Sequence, residues 1–194
     1  MAKLSNLNPN AKPKKFCAID ASTNSLAFAV FDGNEIVACG KINFAGLTTY
    51  DKVMDAARKT KAFFDHFDFE AVIIEHTVFM NSPKTAAQLA MVQGALLGAA
   101  SMAGVRKIGS VSPMTWQNYI GNKKITKEEK IQILKDNPKK STSWLKNEER
   151  NIRKQRTINF ININYNKQLT DDDVADACAI GHWSLSNWEK AFGY

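Results

Sequence analysis

Residues 16–42, FCAIDASTNSLAFAVFDGNEIVACGKI, hold the pattern that decides the fold. Phe16–Asp20 is a short apolar run ending in an acid. Ala21-Ser22-Thr23-Asn24 is turn chemistry. Ser25–Phe31 predicts a second strand, Asp32-Gly33-Asn34 a tight hairpin, and Glu35–Ile42 a third strand. Three strands joined by such short turns predict an antiparallel meander. Further on, Ala71–Glu75 (AVIIE) is a continuous apolar run that also ends in an acid. That pattern suits a buried strand lying parallel to its neighbour. A helix over 48–67, with Val53, Ala56, Ala57, Phe63, Phe64 and Phe67 on its apolar face, supplies the crossover between them. Asp20 and Glu75 then end two strands at the edge where ligands bind in α/β sheets. An alternative for Asp20 is that it opens an Asx turn at 21–24.

The second informative stretch is 171–183, DDDVADACAIGHW. Asp171 or Asp172 can cap a helix, where carboxylates also suit the dipole. On that helix Asp173 and Asp176 share a face with Ala177 and Ile180, and Asp172 and Asp176 form a second same-face pair. Like charges held together are costly without a cation. The plain alternative is a capped helix with an acidic first turn. Four carboxylates, Asp20, Glu75, Asp173 and Asp176, converging from distant positions would instead form a hard oxygen donor set. Such a set suits Mg²⁺ or Mn²⁺ rather than zinc. Two ions ~3.5–4 Å apart would support phosphodiester cleavage without a histidine or lysine base.

Charge and composition narrow the class. The chain has 194 residues, 44% hydrophobic, enough for one domain with a real core. Its net charge is +7. Residues 122–168 alone carry 13 basic and 5 acidic side chains, while 169–194 carry 1 basic and 5 acidic. A polyanion held on the basic segment and presented to the acids explains that asymmetry. Residues 1–15, with Pro13 and four lysines, predict a flexible basic tail. No apolar run reaches the ~20 residues of a membrane span, and no secretory signal opens the chain. Cys17, Cys39 and Cys178 are odd in number and far apart, which argues against zinc and for a reducing, intracellular setting. Cys17 and Cys178 sit in apolar runs as small buried hydrophobes.

The remaining segments predict helices at 84–103, at 113–120, at 126–136 and at 143–166, and a strand at 105–111. No internal repeats occur. The 84–103 helix is rich in Ala and Gly, which suits close approach to the sheet or to a second copy. Phe79, in the loop 78–83, is either core or an exposed stacking wedge. His76 follows Glu75 on the opposite face of its strand and is expected to be a core or supporting histidine rather than a ligand. His66 is expected at a helix end.

The pieces together resemble the RuvC-type Holliday junction resolvases of the RNase H-like superfamily, most of all their bacteriophage members. The likeness is carried by Ile19-Asp20-x-Ser22 with 27–30; Ile74-Glu75 with Val78-Phe79-Met80; Gln93-Gly94 in the Ala- and Gly-rich helix; and Asp173-x-x-Asp176-Ala177-x-Ala179-Ile180. Ala21 and Ser22 replace the Pro and Gly of bacterial members. Trp116 stands near the position of a bacterial lysine. The resemblance implies an α/β, RNase H-like fold: a five-stranded mixed sheet, a three-strand antiparallel meander plus two parallel strands, flanked by helices. It implies one nuclease domain over 16–194 with a basic helical excursion at 122–168. It further implies a cytoplasmic homodimer that nicks two opposed strands of a four-way DNA junction with Mg²⁺, for which Mn²⁺ substitutes. Asp20, Glu75, Asp173 and Asp176 are implied as catalytic metal ligands for two ions. Phe79, Lys123, Lys124, Lys130, Arg150, Arg153 and Lys154 are the expected DNA contacts. Two other readings use the same residues: a nuclease for flaps, branched DNA or RNA–DNA hybrids, and a non-catalytic nucleic-acid-binding module.

Overall fold

The computed structural model describes residues 15–76 and 82–193. Phe79 and nearly all of the basic tail lie outside them. The meander forms as expected: β1 (Lys15–Ala21), β2 (Ser25–Asp32) and β3 (Glu35–Asn43) pair antiparallel. Ser22 makes the β1–β2 turn, because its Oγ accepts the N–H groups of Asn24 and Ser25 at 3.2 and 3.0 Å. Asp20 is therefore not the turn-former. Helix α1 (Thr49–Asp65), opened by a Thr48–Asp51 capping box, leads to β4 (Ala71–Glu75), which pairs parallel with β1. Helix α2 (Pro83–Met102) then leads to β5 (Lys107–Val111), parallel to β4. The sheet order is β3-β2-β1-β4-β5.

Each face of the sheet carries its own core. Cys17, Ile19, Leu26, Val72 and Ile74 face α1 and α2, where Phe64, Val92 and Leu96 cover them. Phe16, Ala18, Ala27, Ala29, Ala71 and Ile73 face the other way. There they meet α6 (Asp172–Ser186) and the C-terminal half of α5 (Thr142–Tyr165). Helix α6 can lie on the strands because the face toward them is small where they meet: Ala177 and Gly181, one turn apart, are buried. A Cβ at Gly181 would fall 2.0 Å from the Phe31 ring. Cys17 and Cys178 are buried, in keeping with their apolar surroundings.

Helices α3 (Pro113–Tyr119) and α4 (Lys127–Asp136) join β5 to α5. The short α7 (Trp188–Ala191) closes the chain. Helix α4 buries no residue of its own and is tied to α5 by Arg156–Glu129 at 2.7 Å and Lys130–Glu149 at 2.9 Å. The first half of α5 likewise has no buried residue before Thr157. This basic pair of helices overhangs the end of the sheet rather than joining its core.

Candidate active site

Strand alternation brings the two strand-end acids together. Residues 16 and 18 of β1 and residues 71 and 73 of β4 face α6, so Asp20 and Glu75, two positions further on, face it too. The last pair of the β1–β4 ladder is Ile19↔Ile74, and the two acids lie one step beyond it. Above them runs the first turn of α6. Its N-cap is Asp171, whose Oδ1 accepts the Val174 N–H at 3.1 Å. The cap sets the helix phase and so turns Asp173 and Asp176 toward the sheet.

Asp20 lies within electrostatic reach of the other three acids. Asp20 is held well above the usual carboxylate range, first by burial, then by Glu75, Asp176 and Asp173, with Lys41 opposing. Asp176 is pushed up to about 7, first by burial and then by Glu75, while a hydrogen bond from Thr157 opposes. Burial also raises Glu75, against the Trp116 indole, whose Nε1–H donates to Glu75 Oε1 at 2.7 Å. Trp116 is itself 1% exposed, so its ring is held in place and its indole N–H fixes one carboxylate oxygen. Asp173, not Asp172, is the α6 first-turn acid whose charge reaches Asp20.

Two lysines reach into the acids. Lys41 of β3 donates to Asp171 Oδ2 at 3.3 Å and pairs closely with Asp173. Lys154 of α5 pairs closely with Asp172. Behind Asp176, the buried Asn122 donates to Thr157 Oγ1 at 2.9 Å and to the Arg153 carbonyl at 2.8 Å.

Asp20, Asp172, Asp173 and Asp176 form the floor of a cleft of about 540 Å³. Its wall carries Lys124, Lys130, Lys146, Arg150, Arg153 and Lys154. Five of the six basic residues expected to meet DNA thus line the same cleft as the acids. Lys123 is exposed and lies off the lining. Arg153 is also a structural residue, since its guanidinium bonds Gln117 Oε1. His76 departs from expectation: it is exposed, with its N–H bonded to the Val111 carbonyl at 2.7 Å. A strand ending at Glu75 leaves the next residue beyond the core. His66 caps the C-terminus of α1.

The donor set fits a hard divalent cation. Its oxygens are all carboxylate, and burial with like charges at hand raises Asp20 and Asp176, which is the condition a cation relieves. As placed, no three His, Cys, Asp or Glu side chains among the described residues are arranged to hold an ion, Asp173 being drawn to Lys41.

Lys41, Trp116, Asn122 and Thr157 have no role in the sequence reading. Trp116 carried only its place near a bacterial lysine, and Lys41 and Asn122 find their hydrogen-bond partners 31 to 132 positions away in the chain.

By sequence, no family model and no curated protein matches the chain. By structure, it is similar to Thermus thermophilus RuvC in complex with Holliday junction substrate. The TM-score is 0.65 at 15% identity, over 92% of this chain and 98% of that one. Thermus thermophilus RuvC alone gives a TM-score of 0.61 at 15% identity, over 91% and 97%. The yeast mitochondrial Holliday junction resolvase Ydc2 gives 0.50 at 12% identity, over 96% and 86%. Sheet order, helix placement and these likenesses agree: the chain has the fold of the RuvC-type Holliday junction resolvases.

Proposed function

We propose that the protein is a metal-dependent, structure-selective DNA endonuclease that resolves four-way junctions by paired, symmetric nicks. The observation that carries this reading is the position of Asp20, Glu75, Asp173 and Asp176 at one end of the sheet, three of them lining a cleft whose other side is basic. A basic wall concentrates phosphates, and the acids wait at its floor. The structural neighbours, one of them bound to Holliday junction substrate, support the substrate class.

Asp20, Glu75, Asp173 and Asp176 would hold Mg²⁺, with Mn²⁺ as its substitute. When bound, the metal supplies charge stabilisation at the phosphate and an acidified water. The chain's own residues do the rest. Trp116 holds Glu75 by one oxygen and leaves the other for the site. Thr157, itself held by Asn122, backs Asp176. Lys124, Lys146 and Arg150 grip the backbone of the substrate. Phe79, in the loop after β4, would be the residue that probes the junction core.

Paired nicks call for two copies. The exposed face of α2 suits such a contact: Val92, Leu96, Ala99 and Ala100 face the sheet, whereas Gly94 and Gly98 would have open space around a Cβ. Two helices can approach closely along that stripe. We take residues 16–194 as one nuclease domain, with 122–168 as its DNA-gripping excursion and 1–15 as a basic tail. The cytoplasm is its expected place of action. No helix among the described residues is long and apolar enough to cross a membrane.

The test is cleavage of synthetic four-way junctions with Mg²⁺. Wild type should nick opposed strands, whereas Asp20→Asn and Glu75→Gln should fall by at least about a thousandfold, the scale of losing a principal charge-stabilising group. Faster cutting of flaps or RNA–DNA hybrids at the same salt would change the substrate. Full activity in either variant would remove that acid from the centre. No cleavage by wild type with Mg²⁺ or Mn²⁺, together with undiminished DNA binding in both variants, would leave a binding module.

A further inference from the structure

Strand β3 contains an irregularity four residues before the position that faces the acids. From the hairpin, the pairs are Asp32↔Glu35 and Phe31↔Ile36, then Val30↔Ala38, so Val37 is the extra residue of a bulge. An extra residue turns every later side chain of its strand to the opposite face. Unbulged, β3 would place Gly40 opposite Ala27 and turn Lys41 toward α1 and α2. With the bulge, Ala27 pairs with Lys41 on one side and Asp20 on the other. Lys41, Ala27 and Asp20 then form one row across the sheet, on the face under α6. Ala27 offers only a methyl group between the two. Lys41 Nζ reaches both Asp171 and Asp173 across the row.

We propose that Lys41 is the resident counter-ion of the acidic centre: its ammonium neutralises Asp171 and Asp173 in the metal-free protein and competes with the divalent cation for Asp173. The proposal rests on reading Asp20, Glu75, Asp173 and Asp176 as a metal centre. Four converging carboxylates cannot all stay ionised without a cation. A lysine suits the part, because its compact charge on a flexible stem is easily withdrawn, whereas an arginine fork would hold a carboxylate by two bonds. The bulge thus serves the site by aiming one cation at it. Lys41 is a positioning residue, acting through Asp173.

The experiment measures Mn²⁺ binding by calorimetry, with melting in EDTA and in Mn²⁺, for wild type, Lys41→Met, Lys41→Gln, Lys41→Arg and Asp20→Asn. Removing the competitor in Lys41→Met or Lys41→Gln should tighten Mn²⁺ binding roughly two- to fivefold, the range of a partly exposed ion pair. It should lower the melting temperature in EDTA and enlarge the rise produced by Mn²⁺. Lys41→Arg should bind Mn²⁺ no more tightly than wild type, since the charge is kept and the fork grips the carboxylate harder. A purely structural Lys41 predicts a lower melting temperature with the same affinity for Mn²⁺. Unchanged or weaker Mn²⁺ binding in both neutral variants overturns the proposal, and the metal-centre reading survives if Asp20→Asn abolishes binding. Absence of Mn²⁺ binding in wild type, or binding indifferent to Asp20→Asn, overturns both.

Discussion

Asp176 ionises at about 7 rather than its ordinary 3.8, because it is buried among Glu75, Asp172 and Asp173. Asp20 is raised by burial and by its neighbours' charge, Glu75 by burial. A carboxyl raised on folding binds its proton more tightly in the native state. Its contribution to stability is therefore complete below the unfolded value near 4 and is lost as pH rises through about 7. In EDTA, these groups should make the protein melt at a lower temperature at pH 8 than at pH 5. Asp176→Asn should recover part of the loss, raising the pH 8 melting temperature by about 5 °C. Divalent cations need the ionised acids, so the stabilisation by added Mg²⁺ should grow over the same interval. A melting temperature in EDTA that is flat from pH 5 to 8 would show that the acids are too far apart to feel one another. The cluster is then a set of groups tuned for a ligand at the expense of the fold.

At the scale of elements, α6 shows how closely the site depends on packing. Gly181 stands where α6 crosses β2, and an added Cβ would collide with Phe31, whose ring also stacks on Phe16 at 5.0 Å. Gly181→Ala should destabilise the fold by about 2–3 kcal/mol, the usual cost of overpacking, read as a lower urea midpoint. Lifting α6 would also move Asp173 and Asp176, so junction cleavage should drop more than DNA binding. The strands, the crossover helices and the ends of β1 and β4 are legible in sequence because each rests on local chemistry: a period of two, a turn dipeptide, an acid closing an apolar run. Helix α7 is not, since its four residues are held by tertiary contact, with Trp188 edge-on to Phe16 at 5.3 Å. Lys41 is hidden for a different reason. Counting pairs back from Asp32-Gly33-Asn34 puts it on the wrong face, because the bulge at Val37 adds a residue that no local pattern announces. Trp116 meets Glu75 across 41 positions, and its hydrogen bond is likewise a product of the assembled fold.

For the whole molecule, the segregation of charge along the chain becomes a segregation in space. The basic excess of 122–168 is carried by α4 and α5, and the acids lie beneath them, so the cleft has a positive wall and a negative floor. Which basic residues are committed to the protein could not be told from composition. Lys130 is paired with Glu149, Lys154 with Asp172, and Arg153 with Gln117. Lys124 and Arg150 are exposed on the wall, which makes them the better phosphate contacts. Each phosphate contact contributes about 0.9 to the slope of log affinity against log salt on duplex DNA. Lys124→Ala with Arg150→Ala should therefore flatten that slope by roughly two, weaken four-way junctions of different sequence alike, and leave the melting temperature nearly unchanged. Arg153→Ala should behave differently and lower stability as well as binding, because Gln117 loses its partner. The measurement is a salt series by fluorescence anisotropy with Ca²⁺ in place of Mg²⁺, run beside thermal melts. If the double variant keeps the wild-type slope, the basic wall does not hold DNA, and the strand that reaches the acids must approach from another side of the sheet's end.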